Sequence, residues 1–463
     1  MKYKPVSITY ISKNDKDAIF ASSGINIITK NESYVLTINH IPHISDYKIY
    51  VNHGPNKLEN IVNWKEVRVV KEIELIQEFK YFKNEFNIFP CDQFPSKTIS
   101  LVKLTSIPTT DSHDFEIDSD IKVGEAIKVI SSPFNLTNPF IFQNFVNYAH
   151  IVNQLQHNYY LSDLKYLDNT NGGIVINPAN DSILGLIVGN LRKINGDGDL
   201  TIIIPFDKIF RLLSNDEIME VISSNSVSSS SVVPIKIKTL KKYTWGSCVY
   251  YEPNVLITNH HVISPLLTEN SSTAEIILSN KVIYITKEQV KTPTMDLDLS
   301  FIYLKEPLPG NIPVKSCTSY TTENKVYTES YGLYLNENNL STMICPGYIN
   351  YIYTTNNNVN GMIIASTSCF NGSSGGGLFN FNNEFIGVIC SNAQVKKFKS
   401  YQKEPEDEFE KITNFTFILP VDIINYCFDS IDKEVEIDST IIDLWKLKPF
   451  HQEEFIDYNK FKL

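Results

Sequence analysis

The chain has 463 residues, which is too long for one ordinary domain, and 42% of them are hydrophobic, enough for well-packed cores. Its net charge is −11 and no basic stripe appears in it, which argues against nucleic-acid binding. No apolar run approaches the roughly 20 residues of a membrane-spanning helix, so we expect no membrane span.

The N-terminus and the cysteines bear on the compartment. Residues Met1–Ile8 lack the apolar core of a signal peptide. The seven cysteines are scattered, odd in number and without C-x-x-C spacing, which favours a reducing compartment over a disulfide framework. We therefore expect an intracellular protein. The cysteines are Cys91, Cys248, Cys317, Cys345, Cys369, Cys390 and Cys427.

The first half of the chain, residues 1–222, is predicted to be a β-domain. Its apolar runs are short, rich in Ile, Val, Tyr and Thr, and broken by Asn, Gly and Pro turns, as β-strands are. One such strand ends in Thr37-Ile38-Asn39-His40-Ile41. A Ser-rich stretch without periodicity follows at 223–234 and predicts a flexible linker.

In the second domain, residues 235–430, an apolar strand runs into Thr258-Asn259-His260-His261-Val262. This pattern resembles the segment that carries the general-base histidine in the DegP-like branch of the trypsin-like serine proteases. In that register His261, directly before Val262, is the base, and His260 fills the preceding position. Adjacent histidines on a strand point to opposite faces, and no Cys or carboxylate cluster accompanies them, so no metal site is expected.

Two aspartates precede the next apolar strand, in Met295-Asp296-Leu297-Asp298-Leu299-Ser300-Phe301. The run from Asp298 resembles the Asp-led strand of the same proteases, which nominates Asp298 to orient the imidazole. Asp296 is the alternative, although it would place a charge where the strand is expected to be apolar.

The segment Gly372-Ser373-Ser374-Gly375-Gly376 has the G-x-S-G-G pattern found around the nucleophile of trypsin-like serine proteases. The serine at 374 supplies the attacking oxygen, and the glycines allow a sharp turn. That turn directs the backbone N–H groups of Gly372 and Ser374 at a developing oxyanion. The order His261, Asp298, Ser374 is the order of the chymotrypsin clan.

The two halves repeat the same landmarks at separations of 200 to 221 residues. His40 matches His261, Thr98 is aligned with the aspartate, and Asn171 is aligned with the serine. An amide cannot act as the nucleophile, and a threonine would not stabilise an imidazolium. We therefore expect an all-β protein of two tandem trypsin-like double β-barrel domains, the first degenerate, with a short C-terminal tail at 431–463.

Tandem trypsin-like halves with a degenerate first copy resemble the peroxisomal, or glyoxysomal, leader-peptide-processing proteases, a DegP-related group. The resemblance implies a serine endopeptidase that removes N-terminal leaders from peroxisomal precursor proteins, with the peroxisome as its location and the cytoplasm as the alternative. Family members commonly end in Ser-Lys-Leu. Here Phe461 replaces the small residue before Lys462 and Leu463, which weakens this signal.

The implied substrate pocket is uncharged. Ser368, six residues before the nucleophile, would lie at its base, and Cys369, Val388 and Cys390 would line it. A carboxylate at the base would select Lys or Arg, so no trypsin-like preference is expected. No cofactor is implied. The long charged stretch 395–413 is interpreted as a solvated insertion, with substrate gating or self-cleavage as the alternative.

Protein substrates are the expected partners, with a peroxisomal import receptor and a second copy of the chain as further candidates. Two alternative functions stay open. One is a DegP/HtrA-like intracellular quality-control protease, which is disfavoured because the 41 residues after Asp422 are too few for a PDZ domain. The other is a non-catalytic pseudoprotease scaffold, which the intact serine motif disfavours.

Overall fold

The protein is described from a computed structural model. The described residues are 1–446 without 16, 30–31, 53–63, 83–84, 108–111, 138, 195–197, 215–229, 241, 270, 338–339, 356, 397–408 and 432–436. The chain divides into two compact units, which we call unit 1 (Met1–Ser226 with Met343–Cys345) and unit 2 (Val227–Thr342 with Pro346–Leu463).

Unit 1 consists almost entirely of β-strands, as its short runs of β-branched and aromatic residues predict. Two short helices, α1 (Pro139–Phe142) and α2 (Phe206–Ser214), accompany them. The strands are β1 (Lys2–Ser12), β2 (Ile19–Ile28), β3 (Ser33–Asn39), β4 (Tyr47–Asn52), β5 (Lys65–Val67), β6 (Val69–Glu74), β7 (Phe86–Phe89), β8 (Ser100–Thr105), β9 (His113–Asp114), β10 (Ala126–Ser131), β11 (Phe145–Gln154), β12 (Tyr160–Ser162), β13 (Ile174–Ile176), β14 (Ile183–Lys193) and β15 (Leu200–Pro205).

These strands form two sheets within the described part of unit 1. The first has the order β5-β4-β1-β2-β3-β8-β6, with β9 added on β1, and it stays open as a half-barrel. The second has the order β13-β10-β11-β12-β15-β14-β7. Because β13 also pairs with β14, six of its strands close into a barrel.

Unit 2 repeats this architecture with its own set of strands and three helices, α3 (His260–Thr268), α4 (Val421–Asp429) and α5 (Ser439–Trp445). Its strands are β16 (Val232–Lys238), β17 (Tyr243–Glu252), β18 (Val255–Thr258), β19 (Thr273–Leu278), β20 (Lys281–Ile285), β21 (Val290–Lys291), β22 (Ser300–Tyr303), β23 (Lys315–Ser316), β24 (Lys325–Ser330), β25 (Met343–Thr354), β26 (Asn360–Ala365), β27 (Gly377–Asn380), β28 (Glu384–Lys396) and β29 (Phe409–Pro420).

The first sheet of unit 2 is again open, with the order β20-β19-β16-β17-β18-β22-β21. The second has the order β23-β28-β27-β24-β25-β26-β29, and the pairing of β28 with β29 closes six strands. The all-β, tandem trypsin-like fold expected from the sequence is thus confirmed. Among the described residues, the end strands of the first sheet of each unit do not pair with each other, so that sheet is a half-barrel.

The core of unit 2 lies partly inside each sheet and partly between them. One buried cluster includes Val249 and Ile257 from the first sheet together with Phe385, Val388 and Leu419 from the second. Each strand alternates its side chains between two faces, so neighbouring residues of β28 belong to different clusters.

The chain boundaries differ from the predicted ones in detail. Residues 223–229 of the predicted linker lie outside the described residues, whereas Val232–Pro234 begin β16 instead of continuing the linker. The charged stretch 395–413 is not a loop throughout, because its two ends extend β28 and β29; residues 397–408 lie outside the described part. The predicted tail contains α5, and residues 447–463 are not described.

No helix in the described residues is both long enough and apolar enough to span a bilayer.

Candidate active site

The histidine motif lies where β18 ends and α3 begins. Asn259 keeps an extended backbone as the N-cap residue, and His260 and His261 are the first two residues of the helix. The pair is therefore helical, and the expectation of two histidines on opposite faces of a strand does not apply to it. His261 stays exposed at this helix start, with 52% of its side chain accessible.

Asp298 reaches His261 from the end of a 3-10 helix, Met295–Leu297, with a left-handed backbone at φ 54°. Aspartate tolerates this region better than most residues. The side chains of Leu297 and Leu299 on either side are fully buried, so the core holds the turn in place. Because its neighbours are buried, Asp298 keeps its left-handed backbone and the direction of its side chain.

The carboxylate of Asp298 makes two contacts with the same histidine. Its Oδ2 lies 2.6 Å from His261 Nδ1, and its Oδ1 accepts a hydrogen bond from the His261 main-chain N–H at 2.8 Å. Because an ionised carboxylate can only accept, Nδ1 carries the proton and Nε2 presents its lone pair outward. The imidazole is thus fixed in orientation and in the tautomer suited to accept a proton.

The Asn259 side chain stabilises the position of the Asp298 main chain. Its side-chain amide donates to the Asp298 carbonyl at 3.1 Å and to the Cys390 sulfur at 3.4 Å. The His260 main-chain N–H also donates to the Asp298 carbonyl, at 3.1 Å. Asp298 is therefore held by its main chain as well as by its side chain. Asn259 was part of the sequence motif, but its positioning role was not predicted.

His260, which precedes the proposed base, and Asp296, the alternative aspartate, both contact other groups. His260 Nδ1 lies 3.3 Å from Thr292 Oγ1 and 3.4 Å from Ser300 Oγ. The Asp296 carboxylate accepts from Thr294 Oγ1 at 3.4 Å, next to its own backbone turn. Of the two aspartates, the structure therefore brings Asp298 onto His261.

Ser374 lies in a tight turn between Gly372 and Gly376. Gly375 has φ +84°, and a Cβ there would come within 2.1 Å of the Ser247 carbonyl oxygen, so only glycine fits. The Gly375 N–H donates to the Ile389 carbonyl at 3.0 Å. The Ser374 carbonyl accepts from the Ser247 N–H at 2.9 Å. These bonds tie the serine to both sheets of unit 2.

The backbone around Gly372 is arranged to leave two donors available. The Asn371 carbonyl accepts from the Leu333 N–H at 2.7 Å. Because a peptide unit is planar and trans, the Gly372 N–H of the same unit points the opposite way. Neither Gly372 N nor Ser374 N donates to any described residue. The predicted pair of oxyanion donors is thus free to bind a ligand oxygen.

The Ser374 hydroxyl itself contacts a main-chain carbonyl. It donates to the Cys390 carbonyl at 3.5 Å, and it makes no hydrogen bond with His261 among the described residues. Cys390 therefore connects the two parts of the site, with its carbonyl at Ser374 and its sulfur at Asn259. Burial, and then the charge of Asp298, raise the pKa of its thiol, so it stays protonated.

Of the predicted pocket residues, Ser368 and Cys369 make polar contacts, whereas Val388 and Cys390 belong to the core between the two sheets. Ser368 is buried, and its hydroxyl donates to Asn414 Oδ1 at 2.7 Å, so no charge lies at this position. Cys369 is buried, and its carbonyl accepts from Asn392 at 3.2 Å. Val388 is fully buried in the core between the two sheets of unit 2, and its role as a pocket-lining residue stays a prediction. The alternation of β28 directs Val388 and the Cys390 thiol inward.

Unit 1 has a residue at each position that corresponds to His261, Asp298 and Ser374. At the aspartate position, that residue differs from the one in the sequence alignment. Thr37 pairs with Val102 as Thr258 pairs with Ser300. Two residues before Ser300 is Asp298, and two residues before Val102 is Ser100. The strand register therefore places Ser100, not Thr98, at the aspartate position. Neither residue supplies a carboxylate.

Residues 246–388 match the sequence model of a family described as a trypsin-like peptidase domain. This stretch begins in β17, ends in β28 and includes His261, Asp298 and Ser374. This part of the chain is similar to trypsin-like peptidases. No curated protein matches the chain in sequence.

Several solved protease structures are similar in fold. The Rv3671c protease from M. tuberculosis in its active form is 16% identical, with 46% of this chain and 85% of that chain covered and a TM-score of 0.33. Its inactive form is 17% identical, with 44% of this chain and 89% of that chain covered and a TM-score of 0.31. An HtrA-type protease, AlgW, with a tripeptide is 13% identical, with 44% of this chain covered and a TM-score of 0.31. The match covers 60% of that chain, which is less than two thirds of its length.

Proposed function

We propose that unit 2 is a serine endopeptidase with Ser374 as nucleophile, His261 as general base and Asp298 as the group that orients the imidazole. The observation that carries this proposal is the double contact of the Asp298 carboxylate with the Nδ1 and main-chain N–H of His261, at 2.6 and 2.8 Å. The match of 246–388 to trypsin-like peptidases supports the same assignment.

The reaction begins when the Ser374 hydroxyl turns from the Cys390 carbonyl toward His261 Nε2. Catalytic hydrogen bonds are often looser before substrate binds. Nε2 takes the hydroxyl proton as the oxygen attacks the scissile carbonyl. The same proton then goes to the leaving amine, and water hydrolyses the acyl-enzyme by the reverse sequence.

The N–H groups of Gly372 and Ser374 would bind the oxyanion of each tetrahedral intermediate. Donors that are fixed before the reaction cost no reorganisation, and each contributes on the order of 3 kcal/mol to the transition state. The bond from Leu333 to the Asn371 carbonyl supports a preformed arrangement of the first donor.

The proposed specificity follows from the absence of charge at Ser368. A base of the pocket that holds a serine bonded to Asn414 offers no partner for Lys or Arg. Cleavage products of a peptide library, analysed by mass spectrometry, are expected to show small or uncharged residues before the cut. A clear preference for cuts after Lys or Arg would contradict the proposed pocket.

As the biological substrate we propose N-terminal leaders of peroxisomal precursor proteins, with the peroxisome as the location. This rests on the tandem arrangement of a degenerate and an intact domain and on the uncharged pocket. Residues 447–463 lie outside the described part, so the resemblance of Lys462 and Leu463 to a peroxisomal signal stays a prediction.

The test is a processing assay with the full chain, its Ser374→Ala variant and a peroxisomal precursor that bears a leader. The native chain is expected to release the leader, and the variant is expected to leave it attached. Unfolded casein forms the second arm. Cleavage of casein without leader release would favour a quality-control protease, and cleavage of neither would favour a non-catalytic scaffold.

A further inference from the structure

Unit 1 contains a cavity of about 290 Å³ at the position that corresponds to the serine site of unit 2. His40 and Asn171, the counterparts of His261 and Ser374, both line it. A volume near 300 Å³ is the lower end of the range for small-ligand pockets. The cavity is therefore large enough to hold one bulky side chain and the peptide group beside it.

The walls of this cavity are largely aromatic. Phe20, Phe89, Phe94 and Phe134 line it, and all four are half-buried. Phe20 and Phe94 form an edge-to-face pair with ring centroids 5.4 Å apart. Rings held in this way offer a rigid apolar surface, and such surfaces bind aromatic and other large apolar groups with little loss of conformational freedom.

The rim of the cavity retains the backbone that presents N–H donors. The Asp168 carbonyl accepts from the Phe134 N–H at 3.0 Å, as the Asn371 carbonyl does from Leu333. Peptide planarity then directs the Asn169 N–H to the opposite side. Neither Asn169 N nor Asn171 N donates to any residue that the structure describes. A hydrogen-bond acceptor is thus the group that these two donors would take.

Two features decide what kind of acceptor fits. The Asp168 side chain lies exposed at the cavity rim, and its negative charge disfavours a carboxylate beside it. His40 Nε2 is engaged with the Val188 carbonyl at 2.6 Å, so that carbonyl is not available to pair with an extended peptide strand. An uncharged carbonyl avoids repulsion by the Asp168 carboxylate and needs no pairing with the Val188 carbonyl. A large apolar side chain next to it would fit the aromatic walls of the cavity.

We propose that unit 1 binds, without cleaving it, an uncharged polypeptide segment with a bulky apolar residue. The carbonyl of that residue is held by the N–H groups of Asn169 and Asn171, and its side chain enters the cavity. Cleavage does not follow, because Asn171 has no nucleophilic oxygen. This site is independent of the serine chemistry assigned to unit 2.

The test uses the full-length Ser374→Ala protein and two probes that differ in one charge, acetyl-Gly-Phe-amide and acetyl-Gly-Phe with a free carboxylate. Binding is measured by calorimetry or ligand-observed NMR. The amide is expected to bind at least about tenfold more tightly than the acid, and Asp168→Asn is expected to reduce this ratio. Equal binding of the two probes, or no binding of the amide up to its solubility limit, would overturn the proposal.

Two further variants locate the site. Ala21→Leu places a larger side chain on the cavity wall and is expected to weaken binding of the amide at least about tenfold. Ala179→Leu is the matched control, because it adds the same side chain at an exposed position that does not line the cavity. Binding that survives Ala21→Leu in a folded protein would place the ligand elsewhere and contradict the assignment.

Discussion

The turn at Asn171 in unit 1 and the turn at Ser374 in unit 2 have the same backbone and different chemistry. The carbonyl of each of these residues accepts from a serine N–H of the first sheet, Ser23 at 2.8 Å and Ser247 at 2.9 Å. The glycine that follows each of them, Gly172 or Gly375, has a positive φ of 78° or 84°. In both turns a Cβ on that glycine would lie 2.1 Å from the same serine carbonyl.

The side chains carried by this shared frame differ at every reactive position. Asn171 donates its amide to the Ile38 carbonyl at 2.8 Å, whereas Ser374 presents a hydroxyl. Ser100 stands where unit 2 has Asp298. His40 is buried and bonded to a carbonyl, whereas His261 is exposed and held by a carboxylate.

The comparison teaches that the turn is a structural element in its own right. Its glycines and main-chain hydrogen bonds connect the two sheets of each unit, and they persist in the unit that has lost the nucleophile. The proposed activity, in contrast, depends on three side chains placed on that frame. Substitutions of the frame and substitutions of the reactive groups are therefore expected to have separable effects.

The largest effect is expected from Asp298→Asn. The amide has one accepting oxygen where the carboxylate uses two. With that oxygen on the His261 main-chain N–H, its NH2 group faces Nδ1 and favours the wrong tautomer, so kcat is expected to fall roughly 10⁴-fold near neutral pH. Steady-state cleavage of a peptide substrate measures this. The matched control is Asp296→Asn two residues away, which should leave kcat within about twofold. A similar loss for both variants would show that the turn, not the carboxylate, is responsible.

The second prediction separates the effect of the shared turn on stability from its effect on peptidase activity. Gly172→Ala and Gly375→Ala each force a Cβ against a carbonyl oxygen at positive φ, so each is expected to lower the free energy of unfolding of its unit by about 2–4 kcal/mol. Only the second should reduce peptidase activity directly. Thermal unfolding and activity assays measure the two quantities.

Gly310→Ala provides the control for this pair. Gly310 has φ +78°, but a Cβ there meets no atom within 4 Å. Its cost is therefore limited to backbone strain, about 1 kcal/mol. Equal destabilisation by all three substitutions would contradict the argument from the serine carbonyls.

The third effect concerns His40. Burial lowers its pKa to about 4, from an ordinary 6.5. Between these two values the unfolded chain binds a proton that the folded chain does not, so stability falls as the pH falls through this window. The total loss approaches about 3 kcal/mol and is complete below the folded pKa. Urea unfolding at several pH values measures it.

His40→Gln removes this titration and keeps an N–H donor for the Val188 carbonyl. The native chain should therefore lose more stability than this variant between neutral pH and the lower end of the window. His43→Gln, at an exposed histidine, controls for general effects of substitution. Parallel pH profiles of the native chain and His40→Gln would contradict the buried, neutral state of His40.

Much of the fold and the contact between Asp298 and His261 could be predicted from local pattern. Short β-branched runs indicated the strands, and the G-x-S-G-G turn indicated a serine with two N–H donors. The open half-barrels could not be predicted in this way, because closure of a sheet depends on pairing between its end strands. The contacts of Asn259 and Leu333 likewise join segments distant in sequence.

One error has its physical origin in the period of a β-strand. A slip of two residues keeps every side chain on the same face, so apolar pattern alone could not distinguish Thr98 from Ser100 as the partner position. The pairing register of the strands places Ser100 there.

The most direct test of the account is covalent labelling of the full chain with a fluorophosphonate, followed by peptide mapping. An activated serine reacts with such a probe, whereas an ordinary serine does not. We expect one label, on Ser374, and its loss in His261→Ala. No label on Ser374 in a folded protein, or labelling that persists without His261, would contradict the assignment of a catalytic serine site to unit 2.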